Sequence, residues 1–218
     1  GRALGHDLTL GVTPDGGLVK TGAGALTLTA ANTYTGATTV NAGALLVNGA
    51  LSTSSAVTVY HTATLGGTGT VGGNVSVLEG GSLAPGTSVG TLNVTGDLSF
   101  ETGAFFDVEI LGLGDADRVM MDGGLLTPGE ATIRVSLGYS PEVGDSWTIL
   151  DGEGSRDGIF NEAVTMLSGG ELLDGWKWLE ASYGSSVVLT VVPEPGTWLL
   201  ALFTATCGLL IRRRRTHN

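Results

Sequence analysis

Four carboxylates lie close together near the middle of the chain, at Asp97, Glu101, Asp107 and Glu109. Glycoside hydrolysis needs two carboxyl groups about 5 to 9.5 Å apart in a cleft, one of them with a raised pKa. Asp107 and Glu109 alternate with apolar residues, so both are predicted on the outer face of one strand. A solvated strand face explains these side chains without catalysis, and we predict that the protein is not an enzyme.

A second acidic segment offers oxygen ligands of the kind that Ca²⁺ prefers. Asp115 and Asp117 stand at alternate positions, and Asp122 follows shortly after them. The twelve-residue EF-hand spacing and its closing Glu are absent. We therefore expect a solvated turn between Ile110 and Val119, with calcium binding as the alternative.

The remaining motifs point away from cofactors and metals. Residues 67–72 have the G-x-G-x-x-G pattern, but a dinucleotide site also needs a following helix, and no helical pattern follows. The histidines His6, His61 and His217 do not stand at metal-ligand spacing. We predict turn glycines at 67–72, no cofactor, no metal and no Ser-His-Asp catalysis.

The elements that must hold these residues are predicted to be short strands joined by tight turns. Gly accounts for 37 of 218 residues, and Gly takes positive φ without a steric penalty. Val and Thr are frequent between the glycines and suit a pleated sheet. Residues 1–192 contain no convincing amphipathic helix. The composition therefore predicts an all-β protein.

Apolar positions recur at a period near twenty residues. Val57, Val59 and Leu65 reappear eighteen positions later, and two further triplets have the same internal spacing. Units of this length cannot bury a core alone, which is typical of a β-solenoid. A β-sandwich with a meander gives similar alternation and is the alternative. The repeated triplets are Val75, Val77 and Leu83; Leu98, Phe100 and Phe106; and Leu26, Leu28 and Tyr34.

A stretch at about residues 18–48 resembles the autotransporter-associated β-strand repeat. The resemblance implies rungs of a right-handed parallel β-helix in a secreted passenger domain. Unlike in autotransporters, we expect no outer-membrane barrel of repeated amphipathic strands after these repeats. The segments that carry the resemblance are Leu18-Val19-Lys20-Thr21-Gly22, Leu26-Thr27-Leu28, Asn32-Thr33-Tyr34-Thr35-Gly36 and Gly43-Ala44-Leu45.

The composition of the chain changes at about Gly96, where large apolar and acidic residues become more frequent. We predict β-solenoid repeats over residues 1–95 and a C-terminal β cap over residues 96–192, which covers the open end of the solenoid. The predicted strands of this second part are Asp97–Phe100, Phe105–Ile110, Arg118–Met121, Thr132–Leu137, Ser146–Leu150, Trp176–Tyr183 and Ser186–Val191.

Residues 193–218 combine a polar motif, an uncharged apolar run from Thr197 to Ile211, and a basic end. As a helix the run spans about 22 Å at about 1.5 Å per residue, short of a hydrocarbon core of about 30 Å. Snorkelling arginine stems and an interfacial Trp198 offset this shortfall. We predict a single transmembrane helix at about 197–211 with a cytoplasmic basic tail at 212–215. A buried helix or strand ending in a solvated basic tail is the alternative.

The arrangement resembles the PEP-CTERM sorting signal of Gram-negative bacteria. The resemblance implies cleavage near its motif by exosortase, a membrane-embedded cysteine transpeptidase, and delivery to the cell surface or an extracellular polysaccharide matrix. The protein would be anchored in the inner membrane before processing. The sorting motif is Pro193, Glu194 and Pro195; the anchor is Trp198, Leu199, Leu200, Leu202, Phe203, Leu209, Leu210 and Ile211; the stop is Arg212, Arg213, Arg214 and Arg215.

Charge and cysteine content limit the partners and the compartment. Without Arg212–Arg215, four of the ten basic residues, six remain against 21 acidic ones, which argues against a nucleic-acid partner. Cys207 is the single cysteine, so no intrachain disulfide forms. An outward-facing anchor requires export, and we expect a longer precursor because the chain starts at Gly1 without a signal peptide.

The sequence therefore predicts an exported surface or matrix protein with a structural role, held by a removable C-terminal signal. Two alternatives remain at this point. One is a carbohydrate-active β-helix enzyme, and the other is a permanently anchored adhesin. In both, the active or binding site lies in a missing N-terminal region.

Overall fold

The computed structural model describes residues 16–161, 165–166, 177–183 and 186–193. All the regular elements in these residues are β-strands, which confirms the all-β prediction. The strands are short because glycines at positive φ turn the chain at their ends, as at Gly43 and Gly67.

Successive strands enter three sheets in turn, which we label A, B and C. Sheet A contains β1 (Leu18–Lys20), β3 (Thr38–Val40), β6 (Val57–Val59), β9 (Val75–Val77), β12 (Leu98–Phe100), β16 (Leu125–Thr127) and β19 (Ser155–Arg156). Sheet B contains β2 (Ala25–Leu28), β4 (Gly43–Val47), β7 (Ala63–Gly67), β10 (Ser82–Pro85), β13 (Phe105–Gly112), β17 (Thr132–Leu137) and β20 (Thr165–Met166), with β14 (Asp115–Ala116) beside β13. Sheet C contains β5 (Ala50–Leu51), β8 (Thr70–Val71), β11 (Thr91–Val94), β15 (Arg118–Met121), β18 (Ser146–Asp151), β22 (Ser186–Pro193) and β21 (Lys177–Tyr183).

Strand pairing makes each passage through sheets A, B and C one rung of a parallel β-solenoid. All the described pairs in sheet A are parallel, and so are those in sheet B apart from the β13–β14 hairpin. Sheet C is parallel from β5 to β18. A sandwich with a meander would pair its strands antiparallel. The observed parallel pairing therefore agrees with the predicted solenoid and not with the sandwich. Its right-handed sense stays a prediction.

The register confirms the eighteen-residue repeat. Val57 pairs with Val75 in sheet A, and Leu65 pairs with Leu83 in sheet B. Phe106 continues the column of Leu83. Equivalent apolar residues of successive rungs therefore stack directly on one another inside the solenoid.

One of the four predicted triplets is out of phase. Leu26 pairs with Leu45 in sheet B, so it belongs to the column of Leu65 and not to that of Val57, which is in sheet A. The alternation of apolar and polar residues is the same in both sheets. A pattern of period two therefore cannot say which side of the solenoid a strand forms.

Parallel pairing continues across the boundary that the sequence suggested at residues 95 and 96. Leu98 pairs with Val75 on one side and with Leu126 on the other. Partners along sheet A lie 20, 19, 18, 23, 28 and 30 positions apart from the first rung to the last. The change of composition at Gly96 thus marks the point where the rungs become longer, and the parallel sheets continue beyond it.

Apart from the short β13–β14 hairpin, the described strands run antiparallel to a neighbour only at β22 and β21. β22 is antiparallel to β18, and β21 is antiparallel to β22, so both extend sheet C at one edge. The strands predicted after residue 96 are all present, with ends that differ by at most two residues. The longest extensions are at β13, which reaches Gly112, and at β22, which reaches Pro193.

The core is a set of apolar columns that widens in the later rungs. Val40, Val59 and Val77 line sheet A and are fully buried. Phe100 takes the next place in this column and packs against Phe106 and Phe160, with ring centroids 5.4 to 6.0 Å apart. Larger side chains fill the wider cross-section that longer rungs enclose.

Candidate functional site

Lys20 lies at the corner between β1 and β2 with its ammonium group turned onto the backbone. Its Nζ donates hydrogen bonds to the carbonyl oxygens of Thr21, Gly22 and Ala42, at 3.1, 2.7 and 2.8 Å. The residue is only 7 % exposed. One lysine therefore ties the corner of the first described rung to the corner of the next rung.

The Asn-Thr-Tyr-Thr-Gly segment forms a second polar corner. Asn32 is buried and donates from Nδ2 to the carbonyl oxygens of Ala30 (2.8 Å) and Ala50 (3.2 Å). The hydroxyl of Tyr34 is 2.7 Å from that of Thr38, which is 3.0 Å from that of Ser55. Burial raises the pKa of Tyr34 above its usual value. These hydroxyls satisfy one another across two rungs, which is a structural arrangement.

The carboxylates that suggested glycoside hydrolysis are held in structural contacts. Asp107 receives both Nε and Nη2 of Arg134, at 2.5 and 2.6 Å. The same guanidinium donates to Ser82 at 2.9 Å and lies 3.9 Å above the ring of Phe105. Asp107 and Arg134 are neighbours on β13 and β17. The prediction that Asp107 lies on an outer strand face is confirmed.

Asp97 and Glu101 accept hydrogen bonds from the backbone of neighbouring rungs. Asp97 Oδ1 accepts from the N–H of Leu125 at 2.9 Å, and Glu101 Oε2 accepts from the N–H of Glu79 at 3.1 Å. The structure does not bring these side chains together as a catalytic pair. Each carboxylate ties one rung to the next.

Asp117 departs from the predicted solvated turn because it is buried, at 4 % exposure. Its Oδ1 accepts from the N–H of Gly90 and its Oδ2 from the N–H of Glu109, both at 2.8 Å. The carboxylate thus joins the start of β11, in sheet C, to β13, in sheet B. Its neighbour Asp115 is exposed in β14.

Burial raises the pKa of Asp117 to about 7, since desolvation disfavours the charged carboxylate. The two backbone N–H donors act in the opposite direction, and the charges of Glu109 and Asp115 add to the increase. The sequence singled out Asp117 as a possible calcium ligand in a solvated turn, and its burial was not predicted. The signal was present, because Asp117 alternates with apolar neighbours at the strand spacing of an inward position.

One motif at residues 86–90 also went unnoticed at the level of sequence, since these residues read G-x-S-x-G. A nucleophile elbow of this pattern stands between a strand and a helix, with a histidine as base. Here the segment joins strand β10 to strand β11. His61, the histidine among the described residues, lies at another corner, against Gly80. The motif therefore forms a turn that Asp117 holds through Gly90.

The other sequence motifs also take structural places. Residues 67–72 run from the end of β7 through the two-residue strand β8, which confirms turn glycines there. Within the described part of the chain, no group of three or more His, Cys, Asp or Glu side chains could hold a metal ion. The same residues include no helix that is long and apolar enough to cross a membrane.

Pro193 is the one predicted sorting residue that the structure describes. It ends β22 and pairs with Lys177. Two residues earlier, the carbonyl oxygen of Val191 accepts from the N–H of Gly144 at 2.8 Å. Residues 194–218 lie outside the described residues, so the transmembrane helix at 197–211, the remaining sorting and anchor residues, and the arginine stop stay predictions.

Residues 18–47 match the family model described as the passenger-associated-transport-repeat. The match covers β1 to β4, and it includes Lys20, Asn32 and Tyr34, whose corner contacts are described above. It confirms the predicted autotransporter-associated repeat. This repeat is typical of exported passenger proteins, so the chain contains a passenger-like segment folded as rungs of a parallel solenoid. The comparison with curated proteins gave no match.

Proposed function

We propose that the protein is an exported bacterial surface or extracellular-matrix protein whose role is structural. The observation that carries the proposal is the passenger-type repeat at residues 18–47, which forms the first described rungs of a continuous parallel solenoid. Stacked rungs give an extended body that grows along one axis, which suits a stalk or scaffold.

The polar contacts of the described residues support a non-catalytic role. Lys20, Asp107 and Asp117 each have their polar atoms engaged by backbone groups or by an ion pair. A general acid or base needs an accessible reacting proton in a cleft. In a structural protein, these side chains would serve to hold neighbouring rungs together.

We further propose that the surface contacts a neutral extracellular polysaccharide. Residues 21–78 contain no Asp, Glu, Lys or Arg. In this region and beyond, a row of hydroxyl side chains occupies the outward position of sheet A, one per rung. The row is Thr39, Thr58, Ser76, Ser99 and Thr127. Evenly spaced hydroxyls can exchange hydrogen bonds with sugar hydroxyls without a charge preference.

The C-terminal segment is proposed to be a sorting signal. Residues 197–211 would cross the inner membrane, and an exosortase-type transpeptidase would cleave near Pro193–Pro195 and pass the protein to the surface. Support comes from the order of motif, apolar run and arginines. Pro193 also ends β22, the last described strand, so cleavage near Pro193–Pro195 would leave the described rungs intact.

Peptide mass spectrometry of the C-terminus tests the sorting step on protein recovered from the native host. A chain that ends near Pro193–Pro195 in the surface or matrix fraction is expected. A chain that still ends at Asn218 in the membrane fraction would contradict sorting. Replacing Glu194 and Pro195 by Ala should retain the full chain in the membrane, while the matched Pro141→Ala variant should be processed normally.

The structural role has its own test, which is incubation of the purified protein with neutral and acidic polysaccharides. No new reducing or unsaturated ends are expected. Their appearance, abolished in a heat-denatured control, would overturn the non-catalytic proposal. Co-sedimentation of the protein with insoluble forms of these polysaccharides should show that it binds the neutral ones.

A further inference from the structure

The end of the molecule where β22 finishes carries exposed apolar side chains that the solenoid core does not use. Leu113 is 69 % exposed at the tip of the β13–β14 hairpin, and Leu111 beside it is 40 % exposed. Val143, in the loop before β18, is 50 % exposed. We call these three residues the exit patch.

Specific contacts hold the parts of the exit patch at one end of the molecule. Trp147, at the start of β18, donates from Nε1 to the carbonyl oxygen of Gly112 at 2.9 Å, which fixes the hairpin. The ring of Tyr139 meets that of Trp147 edge-on, with centroids 6.1 Å apart. The patch is therefore built on a packed aromatic support.

The same loop is bonded to the last residues of β22. The N–H of Gly144 donates to the carbonyl oxygen of Val191 at 2.8 Å, and the N–H of Val191 donates to that of Asp145 at 2.9 Å. Pro193 follows two positions later and ends the strand. The chain therefore leaves the folded domain beside Val143.

The length of the connection limits how far the folded domain can lie from the apolar run. Thr197, the first residue of that run, is four positions after Pro193. Four residues span at most about 14 Å when fully extended. If residues 197–211 enter a bilayer, the end of the domain that carries the exit patch must stay close to its surface.

We propose that the exit patch rests on the interface of the lipid bilayer while the chain is anchored, and so orients the solenoid on the membrane before processing. The inference deepens the proposed function and depends on its membrane anchor. Asp115 and Glu142 are exposed next to Leu113 and Val143 in the chain. Their negative charge favours a zwitterionic lipid surface over an anionic one.

Spin labels on single cysteines test the inference in the full chain, reconstituted into phosphatidylcholine vesicles. Cys207, the single natural cysteine, reports on the apolar run. In a Cys207→Ser background, Leu113→Cys reports on the exit patch, and Val19→Cys, 62 % exposed in β1, is the control. The measurement is the accessibility of each label to oxygen, which concentrates in lipid, relative to a water-soluble nickel chelate.

The label at position 113 is expected to show a severalfold higher oxygen-to-nickel ratio than the label at position 19. The ratio at 113 should fall when anionic lipid is added. If the label at position 113 is accessible to the nickel chelate while a label at Cys207 reports bilayer depth, the proposed membrane contact of the exit patch is overturned and the membrane anchor stands. A label at 113 shielded from both reagents would show that the apolar run covers the patch, which also overturns the inference. A label at Cys207 that is open to nickel would overturn the anchor and the patch together.

Discussion

Lys20 occupies a place in sheet A that the following rungs fill with Val40, Val59 and Val77. A lysine is accepted there because its ammonium group reaches the corner and meets three carbonyl oxygens. Buried carbonyl groups without donors are costly, so a single side chain supports the geometry of two corners.

Replacing Lys20 by Met keeps the apolar stem and removes the donor. We expect the free energy of unfolding to fall by about 1 to 3 kcal/mol, because hydrogen bonds from a charged group to buried carbonyls are lost. Urea unfolding followed by circular dichroism measures the change. The neighbouring exposed Val19→Ala should change stability by less than about 0.5 kcal/mol, and an equal effect of both variants would contradict the role assigned to Lys20.

Asp117 makes the stability of the protein depend on pH. Its pKa is about 7 when buried, against an ordinary value of 3.8. Between these two values the folded state binds a proton that the unfolded state has released. This residue therefore contributes its full stability below pH 3.8, and the contribution is lost as the pH rises to about 7.

The Asp117→Asn variant removes this titration. Relative to the variant, the unchanged protein should lose stability between about pH 4 and pH 7, and the difference should level off above about pH 7. Urea midpoints for both proteins at several pH values measure it, and titration of other carboxylates cancels in the comparison. Parallel pH profiles of the two proteins would show that Asp117 does not titrate in this range.

At the scale of elements, the corners between strands decide how closely successive rungs can stack. Gly67 ends β7 with φ of +107°, and a Cβ atom there would lie 2.3 to 2.6 Å from backbone atoms of Val47 in the rung beside it. Real Cβ atoms do not approach backbone so closely. Glycine at this position is thus required by both φ and the neighbouring rung.

Three glycine-to-alanine variants separate these two requirements. Gly67→Ala should lower the free energy of unfolding by about 2 to 4 kcal/mol. Gly22→Ala, at φ of +77° with open space around it, should cost about 1 kcal/mol from backbone strain alone. Gly24→Ala has neither problem and should be neutral or slightly stabilising.

Thermal unfolding of the three variants under identical conditions gives the ranking. The order Gly24, Gly22, Gly67 of increasing damage is expected because close stacking adds to strain only at Gly67. If Gly67→Ala were no worse than Gly22→Ala, the rungs would stack less tightly than the register indicates.

At the scale of the whole molecule, charge is distributed very unevenly along the solenoid. Between Lys20 and Arg118 there is no Lys or Arg, and the first described rungs, over residues 21–78, carry no charged side chain. After Asp15 the next acidic residue is Glu79, and the acidic residues of the described part are concentrated in the longer rungs. Within the described residues, enzymes that cut at basic residues therefore meet few sites, and these lie in strands.

Trypsin should leave residues 21–156 in one piece under native conditions. Arg118 and Arg134 lie within β15 and β17, which are paired on both sides, and their side chains are half-buried. In 6 M urea both sites should be cut rapidly, because cleavage follows the population of opened chain. Mass spectrometry of the fragments checks this, and native cleavage at Arg134 would contradict a continuous solenoid through β17.

Local sequence patterns were enough to predict much of the fold. Alternating Val and Leu residues, the eighteen-residue offset from Val57 to Val75, and the turn glycines led to an all-β repeat with correct strands. The stretch around Lys20 and Tyr34 pointed to the passenger repeat that the family match confirms. These features are readable because side-chain alternation and turn chemistry depend on neighbours within a few residues.

Long-range contacts decided the rest. Which sheet Leu26 joins, the reversal of β22 against β18, and the burial of Asp117 against Gly90 all depend on residues that lie 19 to 44 positions apart. A period of two is the same for every side of a solenoid, and the spacing that places Asp117 in phase with Val119 does not say which backbone groups its carboxylate meets. By itself the sequence determined the repeat, while the sorting signal at 193–218 stays a prediction. Only the tertiary structure decided the phase of each strand and the partners of its buried polar groups, because those depend on how the rungs stack.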